Sequence, residues 1–165
     1  MDTLATSSHL PALDEPHERR AVAAELQATM RELVDLSLIG KQLHWAVVGP
    51  MFRPVHLQLD ELVDSWRDLA DTVAERAVAL GFVPDGQARA IVAGSQLKGV
   101  AAEALEGHVV VRHMVDRVAQ VSESARERMD RLGERDAVSQ DVLIDVVRTL
   151  EQQQWMLRAQ LSGRP

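Results

Sequence analysis

The sequence predicts an all-α protein, a four-helix bundle with a long crossover between its second and third helices. Apolar residues recur at helical spacing over four long stretches, and no stretch alternates apolar and polar residues as a half-buried strand would. The connection between the second and third stretches is much longer than the others, which favours a crossover over a simple up-and-down bundle. A chain of 165 residues has the length of one domain.

The first helix is expected to begin near Glu18. Its apolar residues recur at spacings of three, four and seven positions, as on a buried helix face, at Leu26, Met30, Leu33, Leu36 and Leu43. Residues 1–17 contain two Pro and two Ser and show no periodicity, so they are predicted to form a mobile N-terminal arm. The helix is expected to end before Gly49, Pro50 and Pro54, which lie close together and break helical structure.

The second helix is predicted to start near Pro54, a residue that is tolerated in a first turn. It is expected to end at Gly81, with Pro84 as a stop shortly after it. Residues 82–103 contain three Gly and have no clear period. They are therefore predicted to form the crossover, with one short helix in it.

The last two helices are separated by a turn through Gly133. Their predicted ranges are about 104–132 and 137–161, because apolar residues again recur at helical spacing there. The bundle then covers residues 18–161, and residues 162–165 form a short C-terminal tail.

Composition narrows the classes of function. The net charge is −7, which argues against a generic nucleic-acid binder and favours cations as partners. There is no Cys, which excludes disulfide bonds and thiolate metal sites. No apolar run approaches the roughly 20 residues of a membrane helix, and the N-terminus lacks the regions of a secretory signal. We therefore expect a cytoplasmic protein without a membrane partner.

Metal-ligating residue types cluster around the break between the first two helices. His44 precedes the break, and His56 follows it on the second helix. With His56 set at zero, Asp60 lies near 40°, Asp71 near 60° and Glu75 near 100° around that helix. The four residues thus share one stripe, and each pair at i,i+4 spacing can reach one ion.

The length of the second helix prevents these pairs from forming one site within a chain. Asp60 and Asp71 lie eleven residues apart, which is roughly 16 Å along a helix. Bonds to a first-shell metal are only about 2 Å long. Either the two pairs are unrelated, or a second copy of the helix crosses antiparallel and makes two equivalent sites per dimer.

Two ordinary interpretations compete with a metal site. A lone His is more often a satisfied polar residue, and acidic pairs commonly lie on a solvated face, where Arg67 or Arg76 could neutralise them. Two familiar metal motifs are absent, because the chain has neither Glu-x-x-His nor His-Glu-x-x-His. An ordinary di-iron centre within one bundle and a zinc-protease site are therefore not expected.

Three segments of this sequence resemble the Dps-type miniferritins of the ferritin superfamily. They are "KQLHW", "GPMFRPVHLQLDEL" and "DTVAERAVALGFVPDG", and the C-terminal "LEQQQWMLRAQL" is similar to the end of that family's last helix. The resemblance covers roughly residues 18–161. It implies a ferritin-like four-helix subunit with a short helix in the crossover, and a hollow shell of twelve subunits.

The resemblance also implies a function and a set of site residues. His44, His56 and Asp60 of one subunit, with Asp71 and Glu75 of its partner, would form a ferroxidase centre at a dimer interface. The family reaction oxidises Fe(II), usually with hydrogen peroxide and otherwise with oxygen, and stores iron as an Fe(III) mineral. Such a protein is an enzyme that protects against oxidative damage.

Neighbouring residues have two interpretations each. Lys41 either hydrogen-bonds a metal-bound water or is a solvated cation. Trp45 either donates an electron to a trapped radical or packs at the dimer interface, and both roles are compatible. Trp66 and Trp155 are interpreted as packing residues.

The N-terminal arm departs from the DNA-binding members of the family. Those members use a lysine-rich tail, whereas residues 1–17 contain no Lys. DNA binding is therefore not expected to be strong, and a nucleoid-associated structural protein with a secondary metal site is the alternative function. His9 and His17 leave open a second metal site near the N-terminus.

Asp141 and Asp145 form an acidic pair at i,i+4 near the start of the fourth helix. They either stabilise the helix dipole or, as the resemblance implies, line a threefold pore that draws in Fe(II).

Overall fold

The computed structural model describes residues 15–162. Within that range the elements are α1 (Pro16–Ala46), β1 (Val47–Val48), α2 (Phe52–Ala79), α3 (Ala88–Gly94), β2 (Leu105–Glu106), α4 (Gly107–Leu132) and α5 (Ala137–Ala159). The predicted four long helices and the crossover with a short helix are confirmed. Of the predicted arm and tail, residues 1–14 and 163–165 lie outside the described range.

The helix boundaries differ from the predicted ones by a few residues. The first helix begins at Pro16 rather than Glu18, because Pro is well suited to a first turn. The last helix ends at Ala159 rather than Leu161. Such differences of one or two residues are common at helix ends, where the last turn loosens.

Residues 104–106 were predicted to be helical, and this prediction is wrong. Leu105 and Glu106 instead form a short parallel pairing with Val47 and Val48 at the end of α1. The backbone there is extended because it pairs with a segment that is distant in sequence, which local periodicity cannot reveal.

The turn between α1 and α2 packs tightly on the start of α4. Gly49 has φ +87°, and a Cβ there would lie 2.3 Å from the Glu106 carboxylate. A Cβ on Gly107 would lie 2.6 Å from Cβ of Met51. Only glycine fits at these two positions without displacing a neighbour, so the turn is held in a fixed place beside α4.

The core lies between two helical hairpins, α1 with α2 and α4 with α5. Trp66 on α2 is completely buried, and its indole donates a hydrogen bond of 2.8 Å to Gln153 Oε1 on α5. The packing role predicted for Trp66 is confirmed. Trp155 is 67% exposed, so the packing predicted for it does not occur within the subunit, because the residue lies on the outward side of α5.

Acidic residues of α1 pair with Arg residues of α4 and of the turn that follows α4. The pairs are Glu18–Arg135, Glu25–Arg131 and Glu32–Arg128. Glu32 is buried, and its two carboxylate oxygens accept hydrogen bonds of 2.7 and 2.9 Å from Arg128. A two-point pair of this kind fixes the orientation of the two hairpins. In the part of the chain that the structure describes, no helix is long and apolar enough to cross a membrane.

Candidate metal centre

His44 and His56 face each other across the short turn between α1 and α2. His44 Nδ1 lies 3.0 Å from the backbone oxygen of His56, and His56 Nδ1 lies 3.0 Å from the backbone oxygen of His44. The two rings stack with centroids 3.6 Å apart. Because a carbonyl oxygen only accepts, each Nδ1 carries the hydrogen, and Nε2 is left with the lone pair that a metal needs.

Asp60 lies one turn after His56 and is paired with Lys41 of α1. The hydrogen bond from Lys41 holds the pKa of Asp60 below its ordinary value, despite partial burial, and the neighbouring His44 and His56 act in the same direction. His44 Nδ1 is 3.3 Å from Asp60 Oδ1. The carboxylate therefore stays ionised to a lower pH than an ordinary Asp, and a metal ligand must be ionised.

Three of the five predicted ligands thus come together in one chain. Ligand atoms of His44, His56 and Asp60 all lie within 4.8 Å of one another. His44 is buried, and the other two are partly exposed. Two imidazoles and one carboxylate are a donor set that suits iron and other divalent transition metals, so the residues present fit iron as a substrate.

Asp71 and Glu75 do not join this cluster. Both are exposed on α2, and neither forms an ion pair with any residue between 15 and 162. Arg76, which could have neutralised Glu75, instead donates a 2.7 Å hydrogen bond to Asp136 at the start of α5. The acidic end of α2 therefore presents two uncompensated carboxylates to the surroundings.

One aromatic ring contacts the cluster, and a second aromatic residue adjoins the cluster in sequence. Trp45 is 70% exposed and lies next to His44 in sequence. The ring centroid of Phe52 is 4.8 Å from that of His56. Phe52 was missed by the sequence reasoning, although its position four residues before His56 on the same helix was a usable signal.

Asp141 and Asp145 are both exposed on α5. Asp136 caps this helix, accepting a 3.2 Å hydrogen bond from the Ser139 backbone, and the first turn contains no acidic residue. The helix-dipole interpretation is therefore weakened. Asp145 accepts a 2.5 Å hydrogen bond from Arg148, which offsets part of its charge.

Of the two histidines suggested as a second metal site near the N-terminus, only His17 lies in the described residues. His17 is exposed in the first turn of α1, with Nε2 3.3 Å from Glu18 Oε1 and Nδ1 3.9 Å from Glu15 Oε2. His9 lies outside the described residues.

Comparison with known proteins identifies one family. Residues 23–163 match the model of the ferritin-like domain. The chain is 36% identical to the DNA protection during starvation protein of Mycolicibacterium smegmatis, over 96% of this chain and 86% of the relative. It is 35% identical to the fine tangled pili major subunit of Haemophilus ducreyi, over 86% of this chain and 75% of the relative.

Solved structures agree with the sequence matches. The tetragonal form of Dps from Mycobacterium smegmatis superposes with a TM-score of 0.88 at 35% identity, covering 93% of this chain and 92% of that one. Dps from Microbacterium arborescens, described as its high iron form, gives a TM-score of 0.86 at 30% identity. That match covers 92% of this chain and 99% of the other.

Proposed function

The chain belongs to the Dps family of ferritin-like proteins, and from that premise we propose that it oxidises Fe(II) and stores the Fe(III) product inside a shell of twelve copies. The convergence of His44, His56 and Asp60 carries the proposal, because their ligand atoms lie within 4.8 Å of one another. A preformed donor set of this kind binds a metal without first having to be ordered. We place the activity in the cytoplasm, where it would protect against oxidative damage.

Each centre would combine two halves. One subunit supplies the unprotonated Nε2 atoms of His44 and His56 and the carboxylate of Asp60. A second copy supplies Asp71 and Glu75, which are exposed and form no ion pair among residues 15–162. Carboxylates favour the ferric product because they are hard anionic ligands.

The electron balance of the reaction is simple. Two Fe(II) ions each give one electron to hydrogen peroxide, which takes up two protons and becomes two waters. Oxygen is the other oxidant that this site could use. Trp45, next to His44, would supply an electron to any radical that forms at the centre, in addition to any packing role.

Lys41 contacts the proposed iron site through Asp60. Its ammonium group donates a hydrogen bond to Asp60, which favours the ionised form of the carboxylate. Binding of Fe(II) would displace this contact, after which Lys41 is free to hydrogen-bond a water on the metal.

Charge would guide iron into the shell. Twelve copies with a net charge of −7 each give 12 × (−7) = −84, which attracts cations. Asp141 and Asp145 would form acidic rings around a threefold entrance, as in other cation pores.

The direct test is Fe(II) oxidation, followed optically with air or with hydrogen peroxide, and iron retention by the particle after gel filtration. We expect oxidation above the buffer blank with at least one oxidant, with iron travelling with the protein. A rate equal to the blank under both conditions would exclude the ferroxidase.

The alternative function is a nucleoid-associated DNA-binding protein whose metal site is secondary. The names of relatives, which mention DNA protection, favour it. The charge of −7 and the absence of Lys from residues 1–17 weigh against it. A gel-shift titration at ~150 mM salt, close to physiological ionic strength, decides between them, since we expect no shift there.

A further inference from the structure

The chain between α3 and β2, residues 95–104, contains no helix or strand. Its backbone oxygens therefore depend on donors from outside any regular element. Arg117 of α4 supplies two such donors, since Nε donates to the oxygen of Lys98 at 3.2 Å and Nη2 donates to the oxygen of Gly99 at 3.3 Å. One charged side chain thus fixes residues 96–100, called here the crossover segment, to the side of α4.

Two other kinds of contact hold the crossover segment. Gln120 Nε2, also on α4, donates to the oxygen of Gln96 at 3.2 Å. Leu97 and Val100 are partly buried against the hydrophobic core. Among these contacts only those of Arg117 involve a charged group, so a change of charge on α4 acts on the segment through Arg117.

Arg117 also donates to an imidazole. Its Nη1 lies 3.4 Å from Nδ1 of His113, one turn earlier on α4. Because a guanidinium group only donates, Nδ1 of His113 accepts, and the ring hydrogen is on Nε2. The Arg117 side chain is 12% exposed, and the carboxylate paired with it, that of Asp116, is 4.0 Å away and 63% exposed. A largely buried cation is therefore held mainly by neutral acceptors.

Protonation of His113 would make this arrangement repulsive. Histidine is the side chain whose charge ordinarily changes between about pH 5 and pH 8. A protonated His113 has no acceptor for Arg117 and places a second positive charge 3.4 Å from it. Asp116 is the nearby acidic residue of α4, three positions along, and Lys98 adds a further cation to the segment. No charged side chain of α1, α2 or α5 within the described residues forms a hydrogen bond or an ion pair with His113.

We propose that His113 and Arg117 form an acid-sensitive latch, which holds the crossover segment on α4 at neutral pH and releases it when His113 takes up a proton. The latch is separate from the proposed iron chemistry, since neither residue belongs to the His44 cluster. Its effect extends along the chain, because β2 begins at Leu105, six residues after Gly99, and pairs with β1 directly after α1. Release of the segment therefore removes a support on the N-terminal side of this strand pair.

The absence of Cys from the chain allows release to be measured with a single thiol. The variant Val100→Cys places that thiol at a partly buried position of the crossover segment. Its labelling by dithiodipyridine, a reagent that reacts in acid as well as at neutral pH, would be followed optically in the intact protein. Adding His113→Gln to the same background gives the test pair, because Gln can accept the hydrogen bond from Arg117 and cannot be protonated.

The two proteins should be labelled at equal rates at about pH 7.5 and at different rates at about pH 5. In acid the protein that keeps His113 should be labelled at least about tenfold faster, the size expected when a hydrogen bond to a charged group is lost. Comparison at one pH cancels the pH dependence of the thiol itself. His108→Gln, which replaces another partly buried His of α4, is the matched control and should label as fast as Val100→Cys alone. Equal labelling of the test pair in acid would overturn the proposal, because it would mean that the protonated imidazole turns away and leaves Arg117 in place.

A second measurement uses the natural lysines. The chain contains only two, Lys41 within α1 and Lys98 in the crossover segment, so a lysine-specific protease reports on release. At neutral pH, His113→Arg, which fixes a positive charge at this position, should be cut after Lys98 at least about tenfold faster than wild type. His113→Gln should be cut at the wild-type rate.

The fragments also show whether the fold is intact. Cleavage confined to Lys98 means that α1 is folded, and equal rates for His113→Arg and His113→Gln would then contradict the latch. If His113→Arg is also cut after Lys41, the variant has unfolded, and the labelling of Val100→Cys decides.

Discussion

The two ends of α2 carry similar side chains in opposite surroundings. At the start of the helix, His56 and Asp60 are engaged by His44 and Lys41 of α1. Near its other end, Asp71 and Glu75 are exposed and form no ion pair within residues 15–162. One end is thus preorganised within the subunit, and the other end is left open. The proposed shared centre would use this difference, because each half-site would be completed by the other half of a second copy.

The first prediction has the largest expected effect and tests the shared centre by co-assembling subunits of two different variants. His56→Ala and Glu75→Ala assemblies should each lose most iron oxidation, because every centre lacks one ligand. In a mixed dimer one centre lacks both ligands and the other is intact, so activity should return to at most about half of wild type. Shells confirmed as mixed by mass that remain inactive would contradict a shared centre.

The second prediction compares two quantities at the two ends of α2, the rate of iron oxidation and the free energy of unfolding. Glu75→Gln should reduce oxidation strongly and change the free energy of unfolding by less than about 0.5 kcal/mol, because Glu75 is exposed. His56→Ala should also destabilise the fold by about 1 kcal/mol, because its ring hydrogen-bonds the His44 backbone. Oxidation rates and urea unfolding on the same samples provide both numbers. The comparison fails if Glu75→Gln unfolds as readily as His56→Ala.

The third prediction concerns the contact that keeps Arg76 away from Glu75. Burial alone would raise the pKa of Asp136, but hydrogen bonds from Ser139 and Arg76 lower it overall. Asp136→Asn should cost about 3 kcal/mol at neutral pH, because it removes the counter-ion of the largely buried Arg76, which keeps only its hydrogen bond to Ser139. Thermal unfolding as a function of pH measures this cost.

The sign of the pH dependence follows from the lowered pKa of Asp136. The stabilisation is present above the unfolded pKa of about 3.9 and is lost as the pH falls through the lower folded value. The difference between wild type and Asp136→Asn should therefore shrink in acid. If the difference in stability between wild type and Asp136→Asn stays constant down to the lowest pH, ionisation of Asp136 is not its cause.

The smallest effect is expected at Lys41. Lys41→Met removes the hydrogen bond that lowers the pKa of Asp60, so binding of a redox-inert probe such as Zn(II) should be lost at a higher pH than in wild type. Global stability should change little, because the pair is partly exposed. Calorimetric Zn(II) titrations at several pH values test this. Arg126→Met is the matched control, because Arg126 pairs with Glu151 between α4 and α5, and it should leave the pH at which binding is lost unchanged.

Much of the fold was predictable from local patterns. The spacing of Leu26, Leu33 and Leu43 predicted α1, and Gly and Pro predicted its end. The start of α4 was not predictable, because Leu105 and Glu106 pair with a segment about 58 residues earlier in the chain. The packing of Trp155 was also misjudged, since apolar character alone does not show which face of a helix is buried, and Trp155 is exposed.

For the candidate site, the sequence by itself determined which residues share a face of α2 and that Asp60 and Asp71 cannot meet within one chain. These conclusions depend only on the rotation and rise of a helix, which are the same in every protein. Only the tertiary structure decided that Lys41 pairs with Asp60, that the two His backbones orient each other's rings, and that Arg76 turns to Asp136. Those contacts depend on the register between helices, which is set by close packing such as that of Gly40 against Trp66. Such packing joins residues far apart in sequence, and no local pattern encodes it.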